Sequence, residues 1–304
     1  MIERKISDFL DGVNSMLLEV ERRAFVEYWE GYRRKCEGGD PLQRPPLELP
    51  YWMLLPEWLL RRSNDQERAA HLTEIVEAQY LLFVAFRLYD DLLDEPQMDP
   101  EALRSVPDAL FKEAERRFER MFPRPSIFWD RYPGLIAETR DAIEKADLLQ
   151  RTPASRPEHL LDEYARINSV FLTGSWAACV LTGQYCEFEA VESFANKLSR
   201  GAQVLDDFFD VAEDLKRDRY NYVINVLIRS SNRMYADTPD KESPIPQRPL
   251  ESILRLVENY YRTAYDQLRR IQIPESSRFA LEYVARIESI RMNLSSHQHG
   301  VVGA

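Results

Sequence analysis

Long apolar runs are missing from this chain. No stretch of 18 or more uninterrupted apolar residues occurs and the mean hydropathy is -0.46, so no segment reads as a transmembrane helix. The first residues, Met1-Ile2-Glu3-Arg4-Lys5, are charged and do not read as a signal peptide. Cysteine is scarce. Cys36, Cys179 and Cys186 are too few and too scattered for a disulfide framework or a zinc site, and a reducing cytoplasm is the expected compartment. The four histidines, His71, His159, His297 and His299, show no catalytic or metal-ligand spacing. Positive charge is also in deficit. The net charge of -11 disfavours nucleic acids and anionic membrane surfaces as partners. An anionic substrate would need local cations. Glycine numbers only ten, and no segment alternates polar and apolar residues as a half-buried strand would.

What is present is helical. Hydrophobic residues make up 44% and charged residues 30% of the 304, enough for a sizeable core under a solvated surface. Asn64-Asp65-Gln66-Glu67 reads as a capping box before a long helix over 65–94. Asp99-Pro100 reads as an N-cap followed by an N1 proline, and Ser126 precedes another helix. Further helices are expected over 157–181, 187–214, 250–271 and 274–295. Breaks fall at 37–50, 95–100, 150–157 and 232–248; the last is a polar, proline-bearing stretch that reads as a loop. None resembles an interdomain linker. The expectation is one all-α domain over 1–304, a bundle of about ten helices around a central cavity, with N-terminal helices in 1–64 and the catalytic bundle in 65–297.

Two acidic clusters stand out. The first is Asp90-Asp91-Leu92-Leu93-Asp94, at the end of the apolar run Tyr80–Phe86. Asp90 and Asp94 share a helix face. The second is Asp206-Asp207-Phe208-Phe209-Asp210, continued by Asp214, so that Asp206, Asp210 and Asp214 form a ladder on one face. With 21 aspartates in the chain, Asp-Asp-x-x-Asp arises by chance roughly 0.1 times, and here it occurs twice. Like charges at i,i+4 repel, and apolar flanks deny them full solvation. A cation is the natural remedy. Mg²⁺ suits hard oxygen ligands and completes its shell with water and substrate phosphate. The spacing therefore predicts a small Mg²⁺ cluster held by Asp90, Asp91, Asp94, Asp206, Asp207, Asp210 and Asp214. Asp90, Asp94, Asp206 and Asp210 are the expected catalytic carboxylates.

A phosphate-bearing substrate needs direct cations as well. Lys216, Arg217 and Arg219 follow the second cluster closely, and Arg166 lies on the preceding helix. Favourable charge at a helix C-terminus is the plainer reading of the first three, and a structural ion pair that of Arg166. Arg87 reads as an intrahelical partner of Asp90 and Asp91. Phe83, Phe86, Phe171, Trp176, Phe208 and Phe209 are core aromatics by default. Phe86, Phe171 and Phe208 are the candidates to shape an apolar substrate chain and to stabilise a carbocation through their π faces.

The two aspartate-rich motifs, 116 residues apart on a helical chain of this length, resemble those of the class I isoprenoid synthase superfamily. Gln203-Val-Leu-Asp-Asp-Phe-Phe-Asp210 is similar to the second motif of trans-prenyl diphosphate synthases. Asp214-Leu-Lys-Arg-Asp-Arg-Tyr220 looks more like squalene and phytoene synthases, and the Asp206, Asp210, Asp214 spacing matches the metal triad of terpene cyclases. The resemblance spans most of 65–295 and is specific at the motifs. It implies an all-helical fold, about three Mg²⁺ ions, a prenyl diphosphate substrate and, as in many members, a homodimer. Chain-elongating members carry a Gly-Lys-x-x-Arg-Pro signature near the N-terminus; the corresponding stretch here is Pro45-Pro46-Leu-Glu-Leu-Pro-Tyr-Trp52. Their arginine pair after the first motif is replaced by Pro96-Gln-Met-Asp-Pro100, and their Lys-Thr on the intervening helix by Asn168-Ser169.

These departures favour a terpene synthase that ionises an allylic prenyl diphosphate and cyclises or deprotonates the cation. A prenyltransferase joining prenyl units is the alternative, and an inactive helical scaffold the next. A di-iron bundle requires Glu-x-x-His pairs, which the sequence lacks.

Overall fold

The computed structural model describes residues 17–38, 51–61, 66–94, 100–153, 156–230, 247–271, 273 and 282–290. Among them there is no strand. In chain order the helices are α1 (Glu19–Gly38), α2 (Tyr51–Arg61), α3 (Gln66–Asp94), α4 (Pro100–Leu103), α5 (Val106–Met121), α6 (Phe128–Gln150), α7 (Glu158–Ile167), α8 (Leu172–Thr182), α9 (Phe188–Lys216), α10 (Tyr222–Ser230) and α11 (Gln247–Arg270). A further helical segment covers 282–290. The expected loop at 232–248 and the capping box at Asn64–Asp65 fall almost wholly outside the described residues.

The helices divide between two compact units. The first comprises α1 to α5, the start of α6 as far as Ile136, and α8; the second takes the rest of α6, α7, α9, α10, α11 and 282–290. In the first unit, α3 packs against α2, α5 and α8. Leu55, Leu59, Ile75, Leu81 and Leu82 are its largest fully buried aliphatic side chains, each worth roughly 1.5–3 kcal/mol of apolar transfer. Helices α3 and α8 approach closely at Gly174, where an added Cβ would lie 2.4 Å from the Gln79 amide oxygen. Gln79 is fully buried and donates from Nε2 to the Phe171 carbonyl at 2.5 Å.

In the second unit, α9 is the central helix and packs on α7, α10 and α11. It buries Phe188, Val191, Phe194, Leu198, Val204 and Val211. Gly201 lets α11 come near, since a Cβ there would stand 2.6 Å from the Tyr261 ring.

The sequence reading placed one helix over 157–181. The structure breaks it into α7, a 3₁₀ turn at Ser169–Phe171, and α8. Asn168 ends α7 with φ -95° and ψ 11°, and its side-chain amide donates to Ser199 Oγ at 3.0 Å instead of facing a helical neighbour. Residues on either side of this turn belong to different units. Helix α8 then stops at Gly183, whose φ of 69° is the left-handed conformation that glycine adopts without strain. The long helices expected over 65–94 and 187–214 are present as α3 and α9.

Candidate metal-binding carboxylates

Helix α9 sorts its aspartates by face. Val204, Leu205 and Val211 turn into the core of the second unit and take Asp207 with them. Asp206, Asp210 and Asp214 follow one another at i,i+4 on a less buried side. Asp206 is exposed, and Asp210 and Asp214 are partly buried. Burial, followed by repulsion from Asp206, Asp214 and Glu213, pushes the Asp210 carboxyl up to about 6. Asp214 is also raised, chiefly by burial, against the pull of an Asn221 hydrogen bond and of Arg219 and Arg217. Carboxyls raised in this way at Asp210 and Asp214 are the condition that favours a bound cation.

Asp207 differs. It is buried, and its Oδ2 accepts from the Tyr164 hydroxyl at 2.8 Å and from the Tyr222 N–H at 2.8 Å. Burial raises its carboxyl well above the ordinary carboxylate range. Tyr164 in turn accepts from Gln150 Nε2 at 3.1 Å. Asn221 closes the end of α9: its Nδ2 donates to the Asp207 carbonyl at 3.0 Å and to Asp214 Oδ2 at 2.8 Å, while its Oδ1 caps α10 through the Ile224 N–H at 2.9 Å.

Three of the four basic residues expected near the diphosphate have carboxylate partners. Arg217 pairs with Glu213 at 2.7 Å. Arg219 pairs with Asp147 at 2.7 Å, and its backbone N–H donates to the Asp214 carbonyl at 2.9 Å. Between them Asp218 takes φ 54°, which turns the chain out of α9. Lys216 is exposed. Arg166 holds Glu163 at 2.7 Å, Asp141 at 2.8 Å and Glu138 at 3.0 Å, and the hydrogen bonds to Asp141 and Glu138 raise its own pKa.

The first cluster closes α3 in the first unit. Asp91 is the more enclosed: Arg87 Nη2 reaches its Oδ1 at 2.6 Å, and Tyr28 donates to its Oδ2 at 2.8 Å. Asp90 is more open, with Arg87 Nη1 at 3.7 Å. The Asp94 side chain lies outside the described part. Phe86, buried against Phe111 with ring centroids 4.9 Å apart, sits one turn before this cluster. Phe171 stacks on Trp52 at 4.8 Å and 11° and leans on Phe83 at 6.0 Å. Trp176 is fixed by an indole N–H bond to the Phe128 carbonyl at 3.0 Å. In the second unit Phe208 meets Phe209 edge-on at 5.5 Å.

Sequence reasoning missed Tyr28, Trp52, Tyr164, Asn221 and Tyr222. One signal was available. Asn221, directly before the apolar run Tyr222–Ile228, is a helix N-cap by residue type.

Among the described residues no three carboxylate, imidazole or thiolate groups form a closed metal cage.

No protein-family model matches the sequence, and no curated protein is similar enough in sequence to match. Solved structures do match. A geranylgeranyl pyrophosphate synthetase from the archaeon Geoglobus acetivorans superposes with a TM-score of 0.63 at 17% identity, covering 94% of this chain and 98% of that one. A decaprenyl diphosphate synthase from Rhodobacter capsulatus gives 0.61 at 14% identity, over 94% and 97%. A heptaprenyl diphosphate synthase from Staphylococcus aureus gives 0.55 at 12% identity, over 97% of each chain. The chain has the all-α isoprenoid synthase fold. That fold is the one the two aspartate-rich motifs implied. No helix among its described residues is long and apolar enough to cross a membrane.

Proposed function

We propose that this chain is a Mg²⁺-dependent enzyme acting on a prenyl diphosphate, of the prenyltransferase type. The observation that carries the reading is the ladder of Asp206, Asp210 and Asp214 on an isoprenoid synthase fold, with Asp210 and Asp214 partly buried and Asp210 repelled by both of the others. The structural likeness to synthases of geranylgeranyl, decaprenyl and heptaprenyl diphosphates supports joining of prenyl units over the cyclisation expected from the sequence.

Asp206, Asp210 and Asp214 would hold Mg²⁺ in the second unit, and Asp90, with Asp91 and Asp94, in the first. When bound, Mg²⁺ neutralises the charge that grows on the diphosphate as the allylic C–O bond breaks. The protein's own groups do the rest. Lys216 supplies a cation beside the ladder, and Arg217 a second once it leaves Glu213. Arg166 and Arg219 reach a phosphate only by exchanging the carboxylates they now hold. Asp207 anchors α9 from inside and fixes where its neighbours point. Phe86 and Phe171 in the first unit, and Phe208 in the second, remain the aromatic candidates to face a prenyl chain.

Cyclisation keeps one supporting observation. Asn168, which stands where elongating enzymes carry a lysine, is bonded to Ser199 and offers no positive charge to a second diphosphate. Incubation with Mg²⁺ and allylic prenyl diphosphates of increasing length, with and without isopentenyl diphosphate, separates the readings. A longer prenyl diphosphate formed only when isopentenyl diphosphate is present is the expected result. A hydrocarbon or alcohol formed from the allylic substrate alone would establish a terpene synthase. No turnover under any condition would leave the inactive scaffold.

A further inference from the structure

Asn221 lies outside both aspartate motifs, yet it touches the second one twice. One carboxamide makes three bonds: to the Asp207 carbonyl at 3.0 Å, to Asp214 Oδ2 at 2.8 Å and, as acceptor, from the Ile224 N–H at 2.9 Å. Asn221 is itself buried. Its backbone is held in turn, because Asn225 Nδ2 donates to the Asn221 carbonyl at 3.0 Å. Next to it, the Tyr222 N–H fixes Asp207. The chain after the second motif therefore folds back on α9 and grips it at Asp207 and at Asp214, one on each side of Asp210.

We infer that Asn221 is a positioning residue for the metal ladder, holding one oxygen of Asp214 so that the carboxylate keeps a fixed orientation beside Asp210. The inference rests on the magnesium reading above. A carboxylate on the last turns of a helix has several rotamers, and Asp210 and Glu213 repel this one. A neutral amide donor fixes one rotamer without neutralising the charge. An arginine or lysine in the same place would orient Asp214 equally well but compete with the cation for it. Groups that orient a ligating carboxylate in this way typically contribute 10–100-fold in metal affinity. Asn221 also caps α10, so a purely structural role must be separated from positioning.

Serine makes that separation. Asn221→Ser retains an oxygen that can cap the Ile224 N–H but is too short to donate to Asp214. Mn²⁺ binding to the full chain in the presence of inorganic diphosphate, read from the electron paramagnetic resonance signal of free Mn²⁺, gives the affinity. Thermal melting in chelator gives the stability. Two further variants calibrate the result: Asp210→Asn, which removes a ladder carboxylate, and Gly201→Ala, which disturbs the α9–α11 contact without touching Asn221. Asn221→Ser is expected to weaken Mn²⁺ binding about tenfold or more, while Gly201→Ala, with an equal or larger fall in melting temperature, stays within about twofold of wild type. If Asn221→Ser also stays within twofold while Asp210→Asn binds weakly, the positioning role is overturned and the magnesium reading stands. If Asn221→Ser and Gly201→Ala lose affinity in step with their stability, Asn221 is a structural cap only. If Asp210→Asn binds Mn²⁺ as wild type does, the magnesium reading fails and takes this inference with it.

Discussion

Tyr164 donates its hydroxyl to Asp207 at 2.8 Å, across 43 residues of sequence and wholly within the interior of the second unit. Both groups shift in the direction burial demands, the phenol and the carboxyl each rising well above their ordinary values. The pair ties α7 to α9 directly behind the candidate ladder. Tyr164→Phe deletes one of the two donors to Asp207 Oδ2 and leaves a buried carboxyl short of a partner. A loss of about 1–3 kcal/mol is expected, measured by urea denaturation. An unchanged midpoint would mean that the bond contributes nothing net.

Asp210 is expected to trade stability for activity. In the metal-free protein its carboxyl is raised to about 6 by burial and by its acidic neighbours. A carboxyl with a raised folded pKa binds protons more readily in the folded state, so its contribution to stability is fullest below the unfolded value and is lost as pH rises through about 6. Asp210→Asn should therefore melt higher than wild type at pH 7 in chelator, by about 2 °C once water screening of a half-exposed group is allowed for. The difference should shrink toward pH 4. Turnover with Mg²⁺ should fall by orders of magnitude. A variant that melts lower at pH 7 would contradict the account of the ladder.

Much of this was legible in the sequence, and the exceptions have physical causes. Period and length identified α3 and α9, and the aspartate spacing picked out the face shared by Asp206, Asp210 and Asp214. Composition could not distinguish Asp206 from Asp207. They are identical residues about 100° apart around a helix; one is exposed and the other buried only because Tyr164 and the Tyr222 N–H arrive from distant segments. The break between α7 and α8 escaped for a similar reason. Asn168 is bonded to Ser199, 31 residues away, and no local propensity encodes that partner. Arg166 was read as a weak phosphate candidate, and its three carboxylate partners come mostly from α6.

Gly201→Ala tests the close approach of α9 and α11. A helical glycine exchanged for alanine gains roughly 1 kcal/mol from propensity. Against that, the new Cβ would lie 2.6 Å from the Tyr261 ring, and the ring is buried with little room to withdraw. Overpacking of this kind costs about 1–3 kcal/mol, so a net loss of up to about 2 kcal/mol is expected, read as a lower melting temperature. An increase would show that α11 gives way easily.

Arg166 separates charge for substrate from charge for structure. Its guanidinium bridges Glu138, Asp141 and Glu163, three carboxylates that would otherwise repel across α6 and α7. Lys145 and Arg166 together hold the Asp141 carboxyl below the ordinary carboxylate range. Arg166→Gln keeps some hydrogen bonding and removes the charge. A loss of about 1–2 kcal/mol is expected, intermediate between an exposed pair and a buried one because the side chain is 31% exposed. The loss should lessen in high salt, which screens the carboxylates left behind. KM for the prenyl diphosphate should move by less than about threefold, under 0.7 kcal/mol at 1.4 kcal/mol per tenfold. A KM raised tenfold or more with an unchanged melting temperature would instead place Arg166 on the diphosphate, its carboxylate partners having released it when substrate binds.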